Sequence, residues 1–287
     1  MSHRFSESKA DVSSLASFLT SRRTLVLSGA GISTASGIPD YRGPDYRERR
    51  RAPVQYRQFV SSADARRRYW ARSTVGWAWL KRRKPNAAHH AVAELERRGL
   101  VTGVVTQNVD GLHQASGSSR VIDLHGRLSR VVCLGCGAEE DRDALQERML
   151  RLNPGWDALV ADMAPDGDAE LAEATIERFA VPGCVRCGGV VKPDVVFFGE
   201  NVPRSRVDAA FALQREADAL LVLGSSLAVF SGYRFVLEAS GRGQPVAIVN
   251  RGTTRADALA AVRIDARLDE ALPALLRDSG PSSGDGL

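Results

Sequence analysis

Four short apolar runs constrain the fold of this chain more than any other feature. Thr24 to Leu27 (TLVL), Val101 to Thr106 (VTGVVT), Ala219 to Leu223 (ALLVL) and Val246 to Val249 (VAIV) are each too short for a buried helix. All are rich in Val or Leu, and each stops at small or polar residues. Such runs are strands buried on both faces, the signature of a parallel sheet covered by helices on either side. Helical periodicity appears between them: Val12, Leu15, Ala16 and Leu19 share one face of Asp11 to Thr20, Ala87 to Arg98 reads as a helix closed by Gly99, and Val207 to Glu216 reads as another. The pattern predicts an α/β fold, a Rossmann-like parallel sheet with helices on both faces. In such sheets ligands collect beyond the carboxyl ends of the strands.

The first run leads into Ser28-Gly29-Ala30-Gly31, and the stretch reads LVLSGAGISTASGIPDYR through Arg42. Glycines let the main chain approach a pyrophosphate, and a helix starting at Ile32 would aim its first N–H groups at the anion. The full dinucleotide fingerprint is absent, because Thr34 stands where the third glycine would be. An ordinary strand-to-helix turn explains two close glycines equally well.

The chain has 287 residues, room for one large domain plus a small insertion, and a 44% hydrophobic and 25% charged composition typical of soluble proteins. No apolar run approaches the ~20 residues of a spanning helix, and the N-terminus has no apolar signal core, so a cytoplasmic protein without a membrane partner is expected. The net charge of +5 is local, in Arg47 to Arg51, Arg66 to Arg68 and Lys81 to Lys84. These runs would attract an acidic partner or nucleic acid, but no aromatic interleaving accompanies them, and solvated helix faces explain them without a nucleic-acid partner.

The end of the second run carries the densest polar group: Gln107, Asn108, Asp110 and His113, with His125 following in VIDLHG. His125 stands where a general base is needed, although a histidine beside a strand also serves as a hydrogen-bonded structural residue. His89, His90 and His113 read as capping and surface residues.

The four cysteines form Cys133-x-x-Cys136 and Cys184-x-x-Cys187, each pair followed directly by glycine. Two knuckles of this kind turn four thiolates onto one tetrahedral Zn2+, a structural site with no open coordination position. A redox Cys-x-x-Cys would need only one pair. Forty-seven residues separate the pairs, longer than a simple ribbon, and Asp143 to Leu152 and Glu170 to Phe179 read as helices inserted around Ala164-Pro165-Asp166-Gly167-Asp168. Residues 43–86, charged and aromatic, predict a helical lid or module. The domain division expected is 1–130 with 190–278 for the large sheet, 131–189 for the zinc-binding insertion, and a disordered tail over 279–287.

Taken together, the motifs resemble one family, the sirtuins, NAD-dependent protein deacylases. The likeness rests on GAGIS (Gly29 to Ser33), SGIPDYR (Ser36 to Arg42), TQNVDGLH (Thr106 to His113), LHG (Leu124 to Gly126), both cysteine pairs, KPDVVFFGE (Lys192 to Glu200), GSSL (Gly224 to Leu227) and Val249-Asn250, in order across residues 15–277. Tyr69-Trp70-Ala71-Arg72, LNPGW, APDGD and GSSLAVFSGYRF resemble the class II branch most.

The resemblance implies NAD as co-substrate, one structural Zn2+, an acyl-lysine protein or peptide substrate and a monomeric enzyme. Gly29, Ala30 and Gly31 would hold the pyrophosphate, Gly224, Ser225, Ser226 and Asn250 the adenosine side, and Ser33, Ile38, Asp40, Tyr41 and Arg42 would belong to the cofactor-binding loop, with Tyr41 in place of the family's usual Phe. Gln107, Asn108 and Asp110 would bind the ribose and nicotinamide, His125 would be the general base, and the peptide would lie extended between Phe198-Gly199-Glu200 and a Ser231-Gly232-Tyr233 loop. Products would be free lysine, nicotinamide and O-acyl-ADP-ribose. Relatives that remove acidic acyl groups resemble one another in a Tyr-x-x-Arg pair whose positions here hold Ser73 and Gly76, while Tyr69 and Arg72 sit one turn earlier, so weak desuccinylation and a pocket tolerant of longer acyl chains are expected. Two other readings stay open: a protein mono-ADP-ribosyltransferase using the same NAD site, and a non-catalytic NAD or nucleic-acid-binding zinc protein.

Overall fold

The structure, a computed structural model, describes residues 4–40, 54–159 and 171–278. Tyr41, Arg42, the basic run Arg47 to Arg51, the APDGD loop, the start of the Glu170 to Phe179 segment and the 279–287 tail lie outside the described residues. The helices are α1 (Arg4–Thr20), α2 (Tyr56–Ser61), α3 (Ala63–Lys81), α4 (Ala87–Arg97), α5 (Leu112–Ala115), α6 (Arg142–Leu152), α7 (Glu173–Ile176), α8 (Arg204–Arg215), α9 (Phe230–Gly241) and α10 (Leu268–Asp278). The strands are β1 (Thr24–Ser28), β2 (Val101–Thr106), β3 (Val121–Asp123), β4 (Gly126–Cys133), β5 (Glu139–Asp141), β6 (Val191–Val195), β7 (Ala219–Leu223), β8 (Val246–Val249) and β9 (Val262–Ile264).

Six strands form one sheet in the order β3-β2-β1-β7-β8-β9. Every neighbouring pair in it is parallel. With the three strands of the second sheet left out of the count, this is the doubly wound 3-2-1-4-5-6 order, whose direction reverses between β1 and β7. Alternate residues of each strand serve opposite faces. Val26, Leu221 and Leu223 pack with Leu15, Val92, Leu95 and Leu272 of α1, α4 and α10, whereas Leu25, Leu27, Leu220 and Val222 pack with Leu213, Phe235 and Val236 of α8 and α9. That double coverage is why the four runs read as continuous apolar stretches. Among the described residues no helix is long and apolar enough to cross a membrane.

The second sheet, β5-β4-β6, is antiparallel and carries the cysteine knuckles at one end. It does not stand alone. Phe59, Tyr69, Trp70 and Val75 of α2 and α3 share a core with Val131, Leu145, Met149, Phe179 and Val191. Polar contacts fasten the same interface: Trp70 Nε1 donates to Val191 O at 3.3 Å, Trp77 Nε1 to Asp143 Oδ1 at 2.7 Å, and the buried Arg142 guanidinium to Ser73 O at 3.1 Å. Phe59, Tyr69 and Trp70 therefore bury their rings against the small sheet.

Several elements differ from the expectation. The α-helix expected from Ile32 is replaced by two 3-10 turns, Ala30–Ile32 and Thr34–Ser36, the second closed by Gly37 at φ 80°. Ser33 ends the first turn and opens the second, and its side chain is engaged by Asn108 and Asp110 rather than by a helix. Ser231, Gly232 and Tyr233, expected in a loop, form the first turn of α9, entered from an extended Val229.

Candidate active site at the switch point of the large sheet

Register builds the site. Ser28 is paired with Thr106 on one side and Leu223 on the other, and Leu223 with Val249, so β1, β2, β7 and β8 end level. The residue after each end continues the ladder by one bond. Gly29 N donates to Leu223 O, Gln107 N to Ser28 O, Leu124 N to Thr106 O, Gly224 N to Val249 O and Asn250 N to Ile264 O, all at 2.9–3.1 Å. Gly29, Gln107, Leu124, Gly224 and Asn250 thus form a rim at the carboxyl edge, and His125 sits one residue above it.

At the reversal point the two turns touch backbone to backbone. Gly31 N donates to Gly224 O at 2.8 Å. A Cβ on Gly31 would lie 2.8 Å from Gly224 Cα, and one on Gly29 the same distance from Gly224 O. Gly224 itself sits at φ 61°, a conformation natural to glycine. Leu227, at φ 56°, is the non-glycine exception among the described residues and is held by its N–H donating to Ser225 Oγ at 3.2 Å. The N–H groups of Ala30, Ser225 and Ser226 find no acceptor among the described residues, leaving three donors at this point for an anionic ligand.

Around the turns the polar side chains interlock. Ser33 Oγ donates to Asp110 Oδ2 at 2.7 Å and accepts from Asn108 Nδ2 at 3.1 Å; the same amide also donates to Gly29 O. Asp110 Oδ1 accepts from Leu112 N at 2.9 Å, while burial pushes its carboxyl above the usual range against those hydrogen bonds. Gln107 Nε2 donates to Ser225 Oγ at 2.9 Å, tying β2 to the glycine turn after β7.

His125 is fixed at both nitrogens. Its Nδ1 lies 2.9 Å from Gln107 O, a group that only accepts, so Nδ1 carries the proton and Nε2 holds the lone pair. Ser231 Oγ, 2.8 Å away on α9, donates to that lone pair. Burial holds His125 below the ordinary imidazole range, opposed by Gln107 O and reinforced by Arg234 and Arg206. The ring is therefore neutral near pH 7, with its basic nitrogen facing α9.

His89 and His113 are not surface residues. His113 Nε2 lies 2.8 Å from Ser28 Oγ, and burial lowers it to about 4. His89 does cap α4, its Nδ1 accepting from Asn86 N, and burial lowers it to about 3. The two rings meet edge to face at 5.1 Å. His90 alone of the three is exposed.

On the side assigned to the peptide, Phe198 is 45% exposed, and its backbone already pairs with Gln55 through Tyr56 N donating to Phe198 O. Glu200 turns inward, accepting from Lys192 Nζ at 3.0 Å and Phe197 N at 2.8 Å. Gly232 lies so close to Gln107 that a Cβ would meet its Oε1 at 2.5 Å. Lys192, 5% exposed and set over the Phe197 ring at 4.7 Å, was missed as a site residue in the sequence, where it only opens the KPDVVFFGE motif.

The four cysteine sulfurs lie within 4.8 Å of one another, with Cys133–Cys187 at 3.5 Å and Cys136–Cys184 at 3.8 Å. A tetrahedral zinc with Zn–S near ~2.3 Å requires sulfurs about 3.8 Å apart. Gly135 N, Arg186 N and Gly189 N each donate to a cysteine sulfur, as thiolates in knuckles require, and the thiols are not joined as disulfides. The donor set fits one structural Zn2+.

Comparison with known proteins agrees with this geometry. Residues 29–231 match the family model described as the Sir2 family. The chain belongs to the Sir2 family. Among Sir2 relatives, it is 52% identical over 264 residues to an NAD-dependent protein deacetylase of Bordetella bronchiseptica, covering 92% of this chain and 96% of the relative. It is 51% identical over 266 residues to the mitochondrial NAD-dependent protein lipoamidase sirtuin-4 of Bos taurus, covering 91% and 84%. A solved structure of "Sir2-p53 peptide-NAD+" superimposes with a TM-score of 0.71 at 29% identity, covering 93% of this chain and 98% of the other. The Sir2 match starts at Gly29, the first residue of the rim, and ends at Ser231, the partner of His125.

Proposed function

We propose that this Sir2-family chain is an NAD-dependent protein lysine deacylase that transfers the acyl group to ADP-ribose, releasing nicotinamide and O-acyl-ADP-ribose. The observation that carries the reading is His125: a neutral imidazole with a fixed tautomer, held by Gln107 O at the carboxyl edge of the sheet, whose basic Nε2 meets only the Ser231 hydroxyl on α9. Mere binding of a nucleotide requires no such base. Relatives at 51–52% identity carry NAD-dependent deacetylase and lipoamidase names, in support of acyl-lysine chemistry.

On this reading the free N–H groups of Ala30, Ser225 and Ser226 hold the pyrophosphate, and Asn250, 8% exposed with its amide tied to Arg251 O and Gly252 O, closes the adenosine end. Ile38 packs with Leu80, Leu112 and Val195, at the base of the segment leading to Asp40 and on to Tyr41 and Arg42. Bound NAD would supply a glycosidic bond to a cationic nicotinamide leaving group. Asn108 has both amide donations spent inside the protein, so its Oδ1 is the group left to accept from a ribose hydroxyl. Gln107 O keeps the proton on His125 Nδ1, and Nε2 takes the ribose proton once the Ser231 hydroxyl yields its place. The four cysteines would hold zinc away from this chemistry, as a structural ion. Residues 1–130 with 190–278 would form the NAD-binding domain and 131–189 the zinc-binding one.

The test is mass spectrometry of the nucleotide products after incubation with NAD and a panel of acyl-lysine peptides, beside His125→Ala. O-acyl-ADP-ribose that disappears in the variant supports the reading. ADP-ribose on protein without peptide deacylation would replace it with a mono-ADP-ribosyltransferase.

A further inference from the structure

Among the described residues, the candidate peptide groove holds more positive charge than carboxylates neutralise. Its carboxylate, Glu200, is consumed by Lys192 Nζ and Phe197 N. On the opposite side Arg234 stands one turn beyond Phe230 on α9, its guanidinium 5.4 Å from the centre of that ring, and Phe230 is 56% exposed. The Nε of Arg234 is buried and makes no hydrogen bond among the described residues. Arg255 lies 4.1 Å over the Tyr233 ring while its backbone N–H donates to Ser226 O, so it spans the adenosine side and the peptide side of the crevice. Among the described residues neither guanidinium has a carboxylate within ion-pair distance; Glu238, the acid of α9, pairs with Arg242 at 3.8 Å. The closeness of Arg234 to the site is also felt at His125, which it helps to keep neutral.

A guanidinium stacked on an aromatic ring keeps its N–H edge free and planar, the geometry that grips a carboxylate with two parallel hydrogen bonds. We propose that this groove selects acyl-lysine peptides carrying Asp or Glu beside the acylated lysine, with Arg234 and Arg255 pairing with those carboxylates. The inference rests on the deacylase reading and names its substrate class. Because Phe230 is exposed, the edge of Arg234 serves the part of the ligand that stays at the surface, the flanking side chains and not the acyl chain.

The test is fluorescence anisotropy of labelled acetyl-lysine peptides whose flanking residues are Asp and Glu, Ala, or Lys, together with a succinyl-lysine peptide flanked by Ala. Acidic flanks should tighten binding roughly two- to five-fold per carboxylate, and the gain should shrink as salt rises. Arg234→Gln and Arg255→Gln should each remove part of the gain and the double variant nearly all of it, with the melting temperature as the control for folding. Equal affinity for acidic and basic flanks, or a preference that survives in the folded double variant, overturns the proposal. So does a gain seen only with succinyl-lysine, which would place the carboxylate site in the acyl pocket. Product analysis with NAD on the same peptides separates the two readings: charge-selective binding without deacylation sinks the activity and keeps the groove, whereas deacylation indifferent to charge does the reverse.

Discussion

Replacing Gly31 with Ala tests whether the contact between the two glycine turns positions the site. The added Cβ would lie 2.8 Å from Gly224 Cα and 2.9 Å from Gly224 O, both backbone atoms. No rotamer can relieve that overlap. Carbon atoms settle at about 3.5–4.0 Å, so the turns after β1 and β7 must separate by roughly 0.7–1.2 Å. Overpacking of this kind costs about 1–3 kcal/mol, which in a chain of this size lowers the melting temperature by about 2–12 °C and leaves it folded at room temperature. Function should suffer far more, because a displacement of ~1 Å at a reacting centre costs on the order of a hundredfold in rate. Gly241→Ala is the matched control: nothing lies within 4 Å of its Cβ position and its φ is not in the left-handed region. Steady-state deacylation with NAD varied, alongside thermal melts, should show Gly31→Ala with a raised KM for NAD and kcat/KM down by about two orders of magnitude. Gly241→Ala should be silent. A folded Gly31→Ala protein with unchanged NAD kinetics would refute the claim that this contact sets the site.

Other consequences are read in simpler assays. Glu200→Gln leaves the Lys192 ammonium buried without its anion, and breaking a buried pair costs about 3–5 kcal/mol, so a large drop in melting temperature is expected; a drop under a few degrees would contradict the pairing. Burial lowers Lys192, opposed by Glu200, so the unfolded chain binds more protons at high pH and stability should rise with pH toward the ordinary lysine value of 10.5. That rise should steepen in Glu200→Gln, as chemical denaturation at several pH values would show. The acid limb of kcat/KM should fall below the ordinary histidine value of 6.5 and move up in Arg234→Gln, since burial and then nearby arginines hold His125 neutral; an unmoved limb would remove Arg234 from that role. Chelation of the metal should loosen the core shared by Cys133, Cys184 and Trp70, giving a red-shifted tryptophan emission, and an unchanged spectrum after complete metal loss would argue against that shared core.

The sequence made the site legible wherever chemistry and geometry demand the same residue. Gly29, Gly31 and Gly224 are required by backbone contact, and the cysteine pairs by ligand spacing, so both stand out from the residue string. The four buried runs were legible because strands covered on both faces have no polar side to interrupt them. Strands β3, β4, β5 and β9 were not. β3 and β9 have three residues each, and β4 (GRLSRVVC) interleaves charge with apolar residues because its exposed positions face solvent beside the small sheet. The start of α9 was hidden by Ser231 and Gly232, which are small there for close approach to His125 and Gln107, a reason that only the folded chain reveals.

The histidines show the same limit from the other side. His125, His113 and His89 are indistinguishable by residue type, and all three are buried and held below the ordinary imidazole range. What separates them is the partner at Nε2. His113 meets Ser28 at the foot of the crevice, and His89 faces Ser33, a hydroxyl already committed to Asp110. The partner of His125 is Ser231, at the first turn of a helix whose opening residues border exposed Phe230 and the unpaired edge of Arg234. A ligand hydroxyl entering there would replace that of Ser231 at the basic nitrogen. We therefore propose His125 as the base: of three neutral imidazoles near one sheet edge, it is the one whose Nε2 partner borders exposed residues.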